Sequence, residues 1–369
     1  MDTDTVSRRQ LNSVGLCAIL SPAIRTLPAL AVPFADEHAW ISALIAAPLL
    51  AGFYVLMARL AKKAGAPLAG SAARCLGAAG KALLIVEAAW LVFYAAFIMR
   101  TAANRFISTI FPESTPLSYI PAMGAFALMT GLGRFRVLGR LSEIAKPMLI
   151  GVMLLTLLLA LPEVSLMTFS RPVAGDWVGI LLGVLPFLGA GSVAVCASLC
   201  SRDGSGLGAG GAALCSGLLS LLCFTSVGCF GPVLTREINN PYFVMIRNLR
   251  MFDAIERVEA LVIAIWFFAD FVLVALLMHA AGASLSSALG VGIDRSRGRA
   301  LRLGGGRWIV WLCATASSVL AGVLAPSSAE LSALSMRYVP LLSPIFTFGL
   351  VPALGALCAR KCKKPESGS

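Results

Sequence analysis

Apolar residues run in blocks of about 20 along the whole chain, separated by short polar breaks. A block of that length crosses the roughly 30 Å hydrocarbon core of a bilayer as a helix. The pattern predicts ten helices, at about 11–34, 38–61, 80–109, 116–133, 137–161, 177–200, 207–231, 254–288, 307–325 and 333–357. Nothing between them is long enough to bury a core of its own, so residues 1–369 read as one transmembrane domain.

Ten spans divide into two sets of five, about 11–161 and 177–357. An odd-numbered repeat crosses the membrane in opposite senses in its two copies, which is the inverted repeat of many secondary transporters. Interruptions at matched places support the division. Span one carries Ser21, Pro22 and Ala23, with Pro28 after them, and span six carries Pro186 and then Gly189, Ala190 and Gly191. Proline removes a backbone donor and glycine weakens a helix, so spans one and six are expected to be broken. Backbone groups freed at membrane depth persist only where they line a cavity or bind something, and a central binding site is expected there.

Composition agrees, with 58% hydrophobic residues, 13% charged and a mean hydropathy of +0.87. Basic residues cluster on one side, at Arg8 and Arg9, Arg59 to Lys81, Arg134 to Lys146, Arg202, Arg295 to Arg307, and Arg360 to Lys364. The opposite loops hold Asp36, Glu37, Glu113, Glu163, Asp176 and Glu330. Segments rich in Lys and Arg stay in the cytoplasm, which puts both termini there. The net charge of +12 then reflects topology among membrane lipids, and no nucleic-acid partner is needed to explain it.

Several short stretches carry a resemblance. They are Ser7-x-x-Gln10, Leu27-Pro28, His38-Ala39-Trp40-Ile41-Ser42, Leu76-Gly77 with Gly80, Arg100, Thr115-Pro116, "GRFRVLGRLSEIAKP" from Gly133, and "PYFVMIRNLRMFDAIERVEALVIAIW" from Pro241 to Trp266. In that order the chain resembles the spore germination permeases, the B subunits of nutrient germinant receptors, within the amino acid–polyamine–organocation transporter group. The resemblance implies a leucine-transporter-type fold with broken helices 1 and 6, and a small nutrient, often an amino acid, held between spans one, three, six and eight. It also implies the inner spore membrane, partner A and C subunits, and a germination signal as the output. Relatives often have Gly-x-Gly in the first broken helix and an acidic residue after the glycine of span six; here Ser21-Pro22-Ala23 and Gly191 stand instead.

Charges inside the spans narrow the chemistry, because a buried ionised group costs several kcal/mol unless paired. Arg25 has two readings: a two-pronged grip on a ligand carboxylate, or an internal ion pair with Glu87 or Asp270. Asp270, deep in span eight, is a candidate for proton or cation coupling or for the partner of Arg25. Lys146 either places its ammonium at an ion site or snorkels to the headgroups. Tyr94 and Phe97 share a stretch of span three and can wall the pocket, and Arg100 suggests a pair near the outer face. Pro232 to Glu256 reads as a surface helix over the pocket mouth.

No catalytic constellation, cofactor motif or metal cluster is visible; His38 and His279 lie far apart in sequence, and "GSGLGAGG" from Gly204 lacks the Lys-Ser/Thr of a phosphate loop. The ten cysteines fall mostly in apolar runs and do not form a disulfide pattern. The expected function is nutrient sensing in a germinant receptor. A proton- or cation-coupled amino acid transporter is the alternative, and a structural subunit of the receptor is a third possibility.

Overall fold

The computed structural model describes residues 6–109, 115–201, 206–238, 240–248, 258–293, 305–325 and 327–361. Glu113, Arg202, Arg257, the arginines at 295–302, Cys362, Lys363, Lys364 and positions 249–256 of the outer segment lie outside the described residues. The described chain is helical throughout. In order the helices are α1 (Arg8–Ala35), α2 (Ala39–Ala64), α3 (Leu68–Cys75), α4 (Gly77–Thr109), α5 (Ile120–Leu132), α6 (Phe135–Ala160), α7 (Asp176–Gly191), α8 (Ala197–Cys200), α9 (Ala209–Glu237), α10 (Pro241–Arg247), α11 (Val258–Leu289) and α12 (Trp308–Val323). The final stretch is α13 (Ser328–Ala333), α14 (Val339–Pro344) and α15 (Val351–Lys361), joined by the π-helical segments Leu334–Tyr338 and Ile345–Leu350.

Seven segments are long and apolar enough to cross a membrane. The first covers 57 residues and is two helices, α1 and α2, joined by the 3₁₀ turn Asp36–His38, where Asp36 takes a positive φ of 43°. Two more apolar helices, α5 and α12, have 13 and 16 residues and stand where the fourth and ninth spans are expected. Large apolar side chains face outward along single helix faces, as lipid-facing residues do. On α6 they are Val137, Ile144, Met148, Leu155 and Leu158, all exposed. On α7 they are Val178, Leu181 and Leu185.

At the centre stands α1, packed by α6, α7, α9 and α11. Twenty of its 28 residues are buried, so it has no polar face to turn outward. Ser7 caps its start in a reciprocal pair with Gln10: the Gln10 N–H donates to Ser7 Oγ and the Ser7 N–H to Gln10 Oε1, both at 3.2 Å. α1 also differs from the expected broken helix, since it keeps helical backbone from Arg8 to Ala35 through Pro22, Pro28 and Pro33. Each proline removes one N–H only, and a membrane helix whose neighbours hold it in place absorbs that loss without unwinding. Thr26 Oγ1 donates to the Pro22 carbonyl at 3.2 Å.

An interruption appears instead after α7. α7 ends at Gly191, Val193–Cys196 forms a 3₁₀ turn, and α8 resumes the path. The outer segment is also different from the surface helix expected of it. A kink at Gly231, φ 73°, is followed by the rest of α9 and by α10, whose Tyr242, Phe243, Met245 and Ile246 are buried. Tyr242 exchanges a 2.7 Å hydrogen bond with Thr156, which anchors α10 in the bundle. Cys75 is disulfide-bonded.

Glycines allow the closest backbone approach. A Cβ on Gly15 would lie 1.8 Å from the Gly206 carbonyl oxygen, so α1 touches the chain after α8 backbone to backbone. A Cβ on Gly52, by contrast, meets nothing within 4 Å. Gly15→Ala is expected to cost more than about 2 kcal/mol and to reduce the yield of folded, monodisperse protein in fluorescence-detected size exclusion. Gly52→Ala is expected to change stability by less than about 1 kcal/mol in the same assay.

Candidate solute site

The helix α1 brings Ser21 and Arg25, four residues apart, onto one face. From α11, Asp270 meets Ser21, whose hydroxyl donates to Asp270 Oδ1 at 2.6 Å. Arg105, from the far end of α4, makes a close ion pair with Asp270 Oδ2. Both side chains are almost wholly buried, 7% and 1% exposed, so each guanidinium and carboxylate depends on the other for its charge balance. Phe243 of α10 covers this pair, its ring centre 5.3 Å from the Arg105 guanidinium carbon.

Arg25 takes no part in that pair. Its residue exposure is 4%, its Nε has no hydrogen-bond partner, and it forms no salt bridge with Asp270 or Glu87 among the described residues. Asp270 lies close enough to act on it electrostatically, as does Arg105 with the opposite sign. Glu87 is buried on α4, two turns before Tyr94, with neither carboxyl oxygen hydrogen-bonded. Of the two readings of Arg25, the internal ion pair is not formed among the described residues, and Arg105 pairs with Asp270 instead.

Arg25 instead lines a cavity of about 60 Å³. Pro22 and Thr26 of α1 flank it, Tyr94 and Phe97 come from α4, and Pro186, Gly189 and Ala190 from α7. The remaining wall is the C-terminal helix, through Ser335, Val339, Pro340 and Ser343. That volume holds a few water molecules, and a solute the size of an amino acid needs the walls to move apart. Tyr94 stacks on Trp90 at 5.9 Å and Trp90 on Phe346 at 4.6 Å, so aromatic rings tie α4 to the C-terminal helix beside the cavity. Of the expected site residues, Pro22, Arg25, Tyr94, Phe97, Gly189 and Ala190 share this cavity. Ser21 and Asp270 sit together in the adjoining ion-pair cluster. Ala23 and Gly191 are absent from the cavity wall.

Gly191 has another part. Its carbonyl accepts a very short hydrogen bond from Tyr54 of α2. Ser192 donates to the Gly189 carbonyl at 2.8 Å and exchanges a 2.6 Å bond with Thr347 of the second π segment. The carbonyls released where α7 ends are thus satisfied by Tyr54 of α2 and by Ser192, whose hydroxyl is held in turn by the C-terminal helix. Tyr54 also borders a second cavity, of about 810 Å³, at the end of the bundle where α1 begins. Lys146 opens into this one, with Arg8, Arg9, Arg59 and Lys62. Arg100 donates to the Ala325 carbonyl at 3.1 Å, so its partner is the backbone beyond α12.

Arg105, Tyr54 and the C-terminal wall were missed in the sequence. Arg105 carried a usable signal, being a cation three turns after Tyr94 inside an apolar helix; Tyr54 and Val339 look like any core residues.

No family model matches the chain, and no curated protein matches it. A solved nucleobase-cation-symport-1 family transporter, in a closed conformation with bromovinylhydantoin bound, superposes with a TM-score of 0.57. The match has 15% identity and covers 97% of this chain and 80% of that one. The fold is the leucine-transporter type. With its long apolar helices, this chain is an integral membrane protein. Within the leucine-transporter-type fold, the polar cluster of Ser21, Asp270 and Arg105 ties α1, α4 and α11 together.

Removing one partner of that cluster leaves a buried charge alone. Asp270→Ala is expected to lose about 3–5 kcal/mol, and Asp270→Ala with Arg105→Ala less than the two single losses added. Unfolding in mixed detergent and dodecyl sulfate measures the cycle.

Proposed function

We propose that this protein is a cation-coupled secondary transporter for a small carboxylate-bearing solute, of the kind amino acids represent. The observation that carries the reading is Arg25, a buried guanidinium with no ion-pair partner, turned to a cavity between α1, α4, α7 and the C-terminal helix. A planar fork of donors suits a carboxylate. The fold it shares with a nucleobase-cation-symport-1 family transporter supports transport over catalysis. In this reading ten spans form two inverted repeats, both termini are cytoplasmic, and Asp270 is the coupling group, with Lys146 at the cytoplasmic opening.

Coupling requires that solute and ion bind one arrangement of the helices better than the other. Asp270 suits that role because it joins α1, through Ser21, to α11 and α4. Separation of α1 from α11 breaks the Ser21 bond and changes what holds the carboxylate. The small cavity at Arg25 and the larger one bordered by Tyr54 then represent the two sides of an alternating path, with the Tyr54–Gly191 bond between them.

A second reading keeps the binding site and replaces flux by signalling. It makes the chain the sensing subunit of a nutrient germinant receptor in the spore membrane, working with A and C subunits. The order of stretches from Ser7 to Trp266, His38-Ala39-Trp40-Ile41-Ser42 among them, favours it.

Proteoliposomes loaded against proton or sodium gradients separate the two readings. Labelled amino acids are expected to accumulate under one gradient, and Arg25→Ala to reduce accumulation by more than about tenfold. Asp270→Asn is expected to retain solute exchange and to lose gradient-driven accumulation. Binding without any flux under either gradient favours the sensor.

A further inference from the structure

Glu87 is wholly buried on α4, and neither of its carboxyl oxygens has a hydrogen-bond partner among the described residues. It belongs to no ion pair there either. An ionised carboxylate in that place has no water, no donor and no counter-ion to hold its charge, and is costly. A carboxyl that carries a proton has no charge to compensate.

The helices α3, α5, α11 and α12 pack against α4. Among the described residues, Arg74 of α3, Tyr119 at the head of α5, Asp270 and His279 of α11 and Cys313 of α12 exert no electrostatic effect on Glu87. Lys81, Tyr94, Arg100 and Arg105 of α4 itself exert none. The second π segment, which also touches α4, has no titratable residue.

One titratable group does face it. Cys196, in the 3₁₀ turn Val193–Cys196 after α7, lies within electrostatic reach of Glu87. The same thiol is within reach of Tyr94, on the wall of the small cavity, and of Tyr54, on the border of the second. Glu87 lines neither cavity, and the four residues of the turn are at most 1% exposed. A proton, or water to receive one, therefore reaches the carboxyl only when this packing loosens. Short 3₁₀ segments inside a helical path are places where such movement occurs.

Water admitted beside Glu87 solvates the carboxylate, so loss of the proton to that water favours the opened turn. Uptake of a proton favours the packed one, because the two equilibria are linked. We propose that Glu87 is a proton-binding site, separate from the Asp270 cluster, which holds its proton while the turn Val193–Cys196 is packed and releases it when the turn opens.

Two measurements on the full-length protein in lipid nanodiscs test this without any solute. Infrared difference spectra at about pH 7 and about pH 9 are expected to show the carbonyl stretch of a protonated carboxyl, weaker at the higher pH and missing in Glu87→Gln. The second is alkylation of Cys196 by N-ethylmaleimide, followed by mass spectrometry at one pH. The amide of Glu87→Gln stands for the neutral carboxyl and keeps the turn packed, so its Cys196 is expected to react about threefold or more slowly than in the wild type. Removing the negative charge beside the thiol acts in the opposite direction, so slower reaction reports the turn. No such carbonyl band in the wild type, or a band that persists in Glu87→Gln, overturns the proton site. Equal or faster alkylation in Glu87→Gln overturns its link to the turn. Aggregation of Glu87→Gln in size exclusion, where wild type is monodisperse, also overturns the proposal, since a neutral group of the same shape has to fit.

Discussion

Asp270 is a carboxylate with no water to receive its charge, and the packing of three long helices follows from how that charge is held. The Arg105 guanidinium and the Ser21 hydroxyl meet it from two other helices, so α1, α4 and α11 are fixed relative to one another at one point near the middle of the bundle. Apolar contact between membrane helices is weakly selective, since lipid tails solvate leucine as well as another leucine does. A polar contact at this depth is selective, because the alternative partner does not exist in lipid. Phe243 and Trp266 close over the cluster and exclude water from it, with the Trp266 indole N–H reaching toward the Ser21 carbonyl at 3.5 Å.

The same constraint governs the backbone. Where α7 stops inside the bundle, side chains take over the released carbonyls, Tyr54 at Gly191 and Ser192 at Gly189, and Thr347 in turn bonds the Ser192 hydroxyl. Tyr54 comes from α2 and Thr347 from the C-terminal helix, so the interruption after α7 is held in part by elements far away in sequence. The small cavity beside it shares α7 and the C-terminal helix with these contacts.

Much of this was legible in the sequence, and the failures have physical reasons. Helix lengths follow from apolar block lengths, and Pro22, Arg25, Tyr94, Phe97, Gly189 and Ala190 line one cavity. Proline content misled for α1, because a buried helix with neighbours on all sides tolerates a missing donor that would unwind an isolated one. For Arg25 the sequence left two readings open. A sequence shows which charges are inside a membrane but not which of two arginines reaches one aspartate, and Arg105 lies 80 positions from Arg25 with no local pattern linking them. Tyr54 was invisible because its function is a single hydroxyl against a carbonyl in another helix.

The two π segments of the C-terminal helix carry a geometric consequence. Pro340 and Pro344 each lack the N–H that an α-helical turn would direct to the fourth residue before them, and the wider turns Leu334–Tyr338 and Ile345–Leu350 lie on either side. Each wide turn accommodates an added residue without lengthening the regular ladder, and one residue corresponds to about 100° of rotation around the axis. Tightening either turn to α geometry would swivel everything beyond it by that angle, carrying Thr347 or Cys358 off its present bearing.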